Sequence, residues 1–244
     1  MRKALVFCLG PGRTKLGRPA MDQEGVRFRD RVDAGRRLAA LLTRYQNQDA
    51  VVYALPRGGV PVAREIADAL NCPLDLIIIR KIGHPWNPEY ALGAIAEDGL
   101  LVVKEEELAR VDKDWFAAEK QRQLQEAGRR RQLYLGGKQP LSAAGKIAIL
   151  VDDGIATGST MLVAVKKVRR EKPAKIVVAV PVSPKDTARR FAKEVDKFVA
   201  VSIPETFWGA IGYYYDDFTQ VSDEEVMALL QGKEKRGQGP WRKR

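Results

Sequence analysis

The stretch Lys146-Ile147-Ala148-Ile149-Leu150-Val151-Asp152-Asp153-Gly154-Ile155-Ala156-Thr157-Gly158-Ser159-Thr160 constrains this chain more than any other. Ile147 to Val151 are apolar without interruption, and three of the five are β-branched. Such a run predicts a short strand buried on both faces, as in a parallel sheet. Two adjacent carboxylates end it. A loop of small residues follows, with two glycines and three hydroxyls. Met161 to Val168 then reads as a helix. The order is buried strand, acidic pair, hydroxyl-rich turn, helix N-terminus.

That order has a chemical meaning. A helix N-terminus offers unpaired N–H groups and a partial positive charge, so it attracts phosphate. Glycines let the backbone approach an anion, and Thr157, Ser159 and Thr160 can add hydroxyl donors. Two neighbouring carboxylates repel each other, so their site needs hydroxyl donors, a cation or water. A sugar phosphate meets both needs, with vicinal hydroxyls for the acids and a phosphate for the loop. A plain strand–turn–helix would explain one hydroxyl as an N-cap. It leaves the two acids and the rest of the loop without a purpose.

Ala50 to Leu55 reads as a second buried strand, running into the turn Pro56-Arg57-Gly58-Gly59 and a helix from Pro61 to Leu70. This repeats the strand, glycine loop, helix order and again suits an anion. Leu74 to Ile79 predicts a third strand, ending in Arg80-Lys81. Basic residues at a strand's carboxyl edge sit where open α/β sheets bind ligands, which makes Lys81 a candidate anion contact. Strands at Lys175–Val180 and Lys197–Ile203 alternate with helices at Phe28–Tyr45 and Pro184–Val195. The pattern predicts an α/β fold, a doubly wound and mainly parallel sheet with the candidate loops at one edge. Lys104 to Tyr134 reads as one charged helix, with Arg129-Arg130-Arg131 on a solvated face. Ser222 precedes Asp223, Glu224 and Glu225 as the N-cap of a closing helix.

Val151 to Thr160 resembles the phosphoribosyl pyrophosphate (PRPP) motif of type I phosphoribosyltransferases, and the resemblance extends over residues 26–230. In particular the chain is similar to the branch known only as predicted phosphoribosyltransferases, whose acceptor is not settled. The resemblance implies that Asp152 and Asp153 take the ribose hydroxyls and, directly or through water, a Mg²⁺ ion. It implies that Gly154 and Ala156 belong to the PRPP-binding set and that Thr157, Gly158, Ser159 and Thr160 anchor the 5′-phosphate. Arg57, Gly58 and Gly59 match the pyrophosphate loop, with Lys81 as a second pyrophosphate contact. It further implies a lid insertion at about residues 83–145 and a small hood at about 204–231, between an N-terminal extension (1–25) and a basic tail (232–244). Phe207 and Trp208 lie where purine enzymes of the family stack the base. The reaction implied is transfer of the phosphoribosyl group to a nitrogenous acceptor, with pyrophosphate released. Enzymes for 6-oxopurines usually carry an acid just before the Thr-Gly of this loop. Ala156 stands there instead, which argues against that acceptor chemistry.

Composition excludes other classes. His84 is the only histidine, so a multi-histidine zinc site is ruled out and any metal would be hard and oxygen-bound. Cys8 and Cys72 form no motif or disulfide framework, which suits a reducing cytoplasm. No apolar run approaches membrane-spanning length, and Pro11 and Arg13 stand where a signal peptide would need small residues. The net charge of +11 resides mainly in residues 1–25 (+3) and 233–244 (+5), so nucleic acid is expected only through these tails. The expected partners are PRPP, an unidentified acceptor and, as a homodimer, a second copy. The alternative is a non-catalytic PRPP sensor, or an RNA-binding regulator, on the same fold.

Overall fold

The computed structural model describes residues 26–231; the extension before them and the basic tail after them lie outside the described residues. Five parallel strands form the main sheet: β1 (Ala50–Ala54), β2 (Leu74–Leu76), β6 (Ile147–Val151), β7 (Lys175–Val182) and β8 (Lys197–Ser202), in the order β2-β1-β6-β7-β8. All five residues of β1 and the last four of β6 are buried. Both faces are therefore covered, which is why these strands read as unbroken apolar runs rather than as alternation.

Helices sort to the two faces by strand parity. Val52, Ala54, Ile149 and Val151 pack against α1 (Arg31–Ala40), α2 (Gly59–Leu70) and α7 (Asp223–Gln231). Val51, Tyr53, Ala148 and Leu150 pack against α5 (Ser159–Arg170) and α6 (Lys185–Glu194). The sheet is doubly wound, as expected. The chain runs from β1 outward to β2, then returns to place β6 on the other side of β1. The β1/β6 boundary is thus the topological switch point, where such sheets open a crevice at the strands' carboxyl ends.

A second, antiparallel sheet of β3 (Ile79–His84), β4 (Asn87–Ala96) and β5 (Leu101–Val103) overlaps the first part of the expected insertion. Ala94 and Ala96 seat it against Val163 of α5. The expected strand at Leu74–Ile79 is corrected here. The parallel strand ends at Leu76, the Ile77 amide makes the last bond to β1 at Ala54 O (3.0 Å), and Ile79 starts β3 against Ala96. The apolar run continues because a second sheet takes over its burial.

Two helices also differ from expectation. Asp30 caps α1 by accepting from the Asp33 amide, so the helix starts at Arg31; Phe28 instead bridges to Tyr215. The single helix expected over 104–134 is two, α3 (Glu105–Leu108) and α4 (Lys113–Leu135), because Asp112 caps a new start at the Trp115 amide (2.7 Å). On α4 only Ala127 and Tyr134 are fully buried. No described helix is long and apolar enough to cross a membrane.

Candidate functional site

The register of the two central strands builds the site. Ala54 pairs with Val151, and the Leu55 amide donates to Val151 O (2.9 Å). The Arg57-Gly58-Gly59 loop and the Asp152-Asp153 pair therefore leave the sheet side by side, at the switch point. They touch. A Cβ on Gly58 would lie 2.0 Å from Asp153 Oδ2, and one on Gly59 would lie 2.8 Å from Val151 O and 2.9 Å from Asp152 Cα. The sequence needs glycine at both positions so that two loops can share one edge. The Pro56–Arg57 peptide is cis.

Asp152 and Asp153 are half-buried. Burial holds the Asp152 carboxyl well above the ordinary carboxylate range, and the adjacent Asp153 charge adds to it. Burial also raises Asp153, but Arg31 opposes that shift: its Nε donates to Asp153 Oδ2 at 2.9 Å. The Asp153 amide donates to Asp152 Oδ1 (2.9 Å). From the C-terminal side, Tyr215 Oη donates to Asp153 O (2.6 Å), and Ile211 lies so close that a Cβ on Gly154 would meet its Cγ2 at 2.6 Å. The 204–218 segment thus reaches the acidic pair.

The candidate phosphate loop ends at the start of α5. Gly158 caps that helix in the left-handed region (φ +75°), a conformation that glycine adopts without penalty. Thr157 and Ser159 are exposed, with hydroxyls 3.3 Å apart, so both are open to a ligand. Helix α6 braces the loop from outside. Thr187 Oγ1 donates to Ala156 O (2.8 Å), and Arg190 Nη2 donates to Thr157 O. No residue from 156 to 160 carries a positive charge, and Arg190 brings one to this loop.

The remaining candidates are dispersed. Arg57 lies 3.4 Å from Asp223 Oδ1, which Tyr134 Oη also contacts at 2.6 Å; the Tyr134 bond and Arg57 hold Asp223 below its ordinary value. Lys81 lies within β3, exposed and opposite Ala94, rather than at the carboxyl edge of the parallel sheet. Phe207 stacks on Tyr214 (5.5 Å between centroids) and packs on a small buried cluster, whereas Trp208 is 61% exposed. The sequence reading missed Arg31, Thr187, Arg190 and Tyr215. The aromatic run at 213–215 was a usable signal for Tyr215. Nothing local marks Arg31, whose partner lies 122 positions away. A cavity of about 530 Å³ lies at the far end of α5, against β5, and includes none of these residues.

Comparison with known proteins identifies the family. Residues 28–217 match the family described as "Phosphoribosyl transferase domain". The chain is 44% identical over 205 residues to a Mycobacterium tuberculosis (strain H37Rv) protein named "Putative phosphoribosyl transferase Rv0571c". That match covers 83% of this chain and 46% of the relative, so the chain spans about half the length of the curated relatives it matches. Among solved structures, TT1426 from Thermus thermophilus is 42% identical, with a TM-score of 0.71 over 84% of this chain and 97% of that one. A family match across more than half the chain, on a doubly wound sheet whose acidic pair and glycine loops meet at the switch point, establishes that this chain belongs to the phosphoribosyl transferase domain family.

Proposed function

We propose that the chain binds Mg²⁺–PRPP at the β1/β6 switch point and transfers the phosphoribosyl group to a nitrogenous acceptor. The observation that carries this reading is the contact between Gly58 and Asp153. It sets an acidic pair between two loops suited to anions, an arrangement that matches a ribose bearing phosphate groups at both ends. Asp152 and Asp153 accept the ribose hydroxyls, the 156–160 loop and the α5 N-terminus hold the 5′-phosphate, and Arg57, Gly58 and Gly59 hold the pyrophosphate.

In the reaction, the bond from C1 to the pyrophosphate oxygen breaks, and its electron pair leaves on pyrophosphate. The acceptor nitrogen forms the new bond to C1 and loses a proton. The two carboxylates favour the positive charge that develops on the sugar. Ala156 offers no proton-transfer group beside the Thr157 turn, so the acceptor is nucleobase-like without the usual 6-oxopurine chemistry. The exposed Trp208 ring is available to stack on such an acceptor, whereas Phe207 is engaged by Tyr214.

The donor set fits Mg²⁺. Asp152 and Asp153 are hard oxygen ligands whose burial is only partly compensated by Arg31. Among the described residues no group of three or more His, Cys, Asp or Glu gathers to form a complete metal cage. A Mg²⁺ ion here would be bound through one or two carboxylates together with substrate oxygens. When bound, it would neutralise the leaving pyrophosphate.

Titration calorimetry with Mg²⁺–PRPP, followed by an acceptor screen with pyrophosphate detection, tests the proposal. Binding is expected in the wild type and is expected to be lost in Asp152→Asn/Asp153→Asn. Wild-type protein that fails to bind, or a double variant that binds equally well, overturns it. Binding without turnover across a broad acceptor panel would identify a sensor instead.

A further inference from the structure

Arg31 occupies a position that helix stability does not explain. It is the first residue of α1, where the helix dipole disfavours a cation. Its side chain is nevertheless largely withdrawn from water, with 11% exposed. Three contacts hold it there. Nε donates to Asp153 Oδ2 (2.9 Å), Nη1 donates to Thr219 O (2.8 Å), and the guanidinium carbon lies 3.9 Å above the Phe218 ring. One rigid fork thus joins the acidic pair to a backbone segment 188 residues further along the chain. A lysine ammonium could supply the charge, but not the paired hydrogen bonds and the flat stacking face together.

Asp153 is confined from two sides. Gly58 leaves room for its Oδ2 on one side, and Arg31 fixes the same oxygen on the other. Tyr215 meanwhile holds the Asp153 carbonyl. Resting on the proposed donor site, we infer that Arg31 is a positioning residue. It acts through Asp153, setting the carboxylate in the orientation that accepts a ribose hydroxyl. Through Thr219 and Phe218 it also ties the C-terminal segment to the same acid. One side chain then sets both the sugar contact and the wall beside it, so the sugar half of the donor depends on Arg31 while the pyrophosphate half does not.

The test compares the wild-type chain, Arg31→Gln and Arg31→Lys by titration calorimetry, with two probes: Mg²⁺–PRPP, and Mg²⁺ with inorganic pyrophosphate. Arg31→Gln is expected to weaken PRPP by at least about tenfold, the order of a lost charge-assisted hydrogen bond. Its pyrophosphate affinity is expected to stay within about twofold of wild type, since that probe carries no ribose hydroxyl for Asp153 to accept and its phosphates engage the Arg57 loop. Arg31→Lys is expected to recover part of the PRPP affinity. Unchanged PRPP binding in Arg31→Gln overturns the inference while the donor-site reading stands. Equal loss of both probes also overturns it, because that is what general disruption of the site would produce. If wild type binds pyrophosphate but not PRPP, the donor-site reading falls, and the role of Arg31 falls with it.

Discussion

Asp153 Oδ2 lies 2.0 Å from where a Cβ on Gly58 would stand. The backbone at Gly58 is ordinary (φ −59°, ψ −34°), so the glycine serves proximity rather than conformation. Gly58→Ala should displace the Asp153 carboxylate from Arg31 while leaving the sheet intact. The expected result is PRPP affinity reduced by more than about tenfold, with a melting temperature near that of the wild type. Gly59→Ala meets unyielding backbone at Val151 and Asp152 and should cost about 1–3 kcal/mol of stability as well. Calorimetric titration and thermal unfolding of the two variants separate these effects.

Gly158→Ala combines two penalties. The residue has a positive φ of 75°, and a Cβ there would meet Phe191 Cε2 at 2.5 Å and Arg190 Nη2 at 2.8 Å. Strain at the cap and overpacking against α6 should together destabilise the protein by about 2–4 kcal/mol. The shape of the 156–160 loop should change with it. Binding of ribose 5-phosphate, which has the 5′-phosphate but no pyrophosphate, should fall more than binding of inorganic pyrophosphate.

Arg131 is a structural tie rather than part of a solvated basic face, which corrects the expectation for the Arg129-Arg130-Arg131 run. It lies 3.2 Å from Asp75 and 3.1 Å from Glu97, with side chains 12%, 5% and 9% exposed. Arg131→Met would leave two carboxylates buried without their cation and should cost about 3–5 kcal/mol in urea unfolding. Burial already holds the Glu97 carboxyl above its ordinary value of 4.5, with Arg131 opposing the shift. A carboxyl raised on folding loses stability as pH rises through its folded value. The penalty of Arg131→Met should therefore be larger at neutral pH than near or below pH 4.5.

Glu126 titrates in the opposite sense. Hydrogen bonds from Arg129 and Arg130 lower its carboxyl to about 2 from 4.5. A carboxyl lowered on folding contributes stability above its unfolded value and loses it as pH falls through the folded one. Glu126→Gln should therefore lower stability modestly at neutral pH, by about 0.5–1 kcal/mol for a partly exposed cluster. The difference from wild type should shrink as pH falls from 4.5 toward 2. Urea unfolding across that range measures it.

The parallel strands were readable because their burial is two-sided. Val51, Val52, Ile149 and Leu150 are apolar whichever face they point to, and Pro56, Asp152 and Pro204 close three of the runs. The acidic pair and its hydroxyl loop were readable for another reason: a strand end, a turn and a helix start are local events. The boundary near Ile79 was misread because one apolar run serves two sheets, and only strand pairing divides it. The helix break at Asp112 was missed because the flanking residues favour helix on both sides. Phe207 and Trp208 adjoin in sequence and suggested one stacking surface. Tertiary packing turns Phe207 onto Tyr214 and leaves Trp208 exposed.

Local chemistry alone was therefore enough for the class of the main sheet, its central strands and the turns that follow β1 and β6. These depend on hydrophobic runs, turn residues and helix starts, which act over a few positions. The meeting of Gly58 with Asp153, the Arg31 fork and the buried Arg131 tie come from folding. Their partners lie 34 to 188 positions apart, and strand order and register bring them together. Each such contact needs a chain reversal and a specific pairing that no short window of sequence encodes. For this chain, strand register brings two separate glycine loops and an acidic pair to one edge of the sheet.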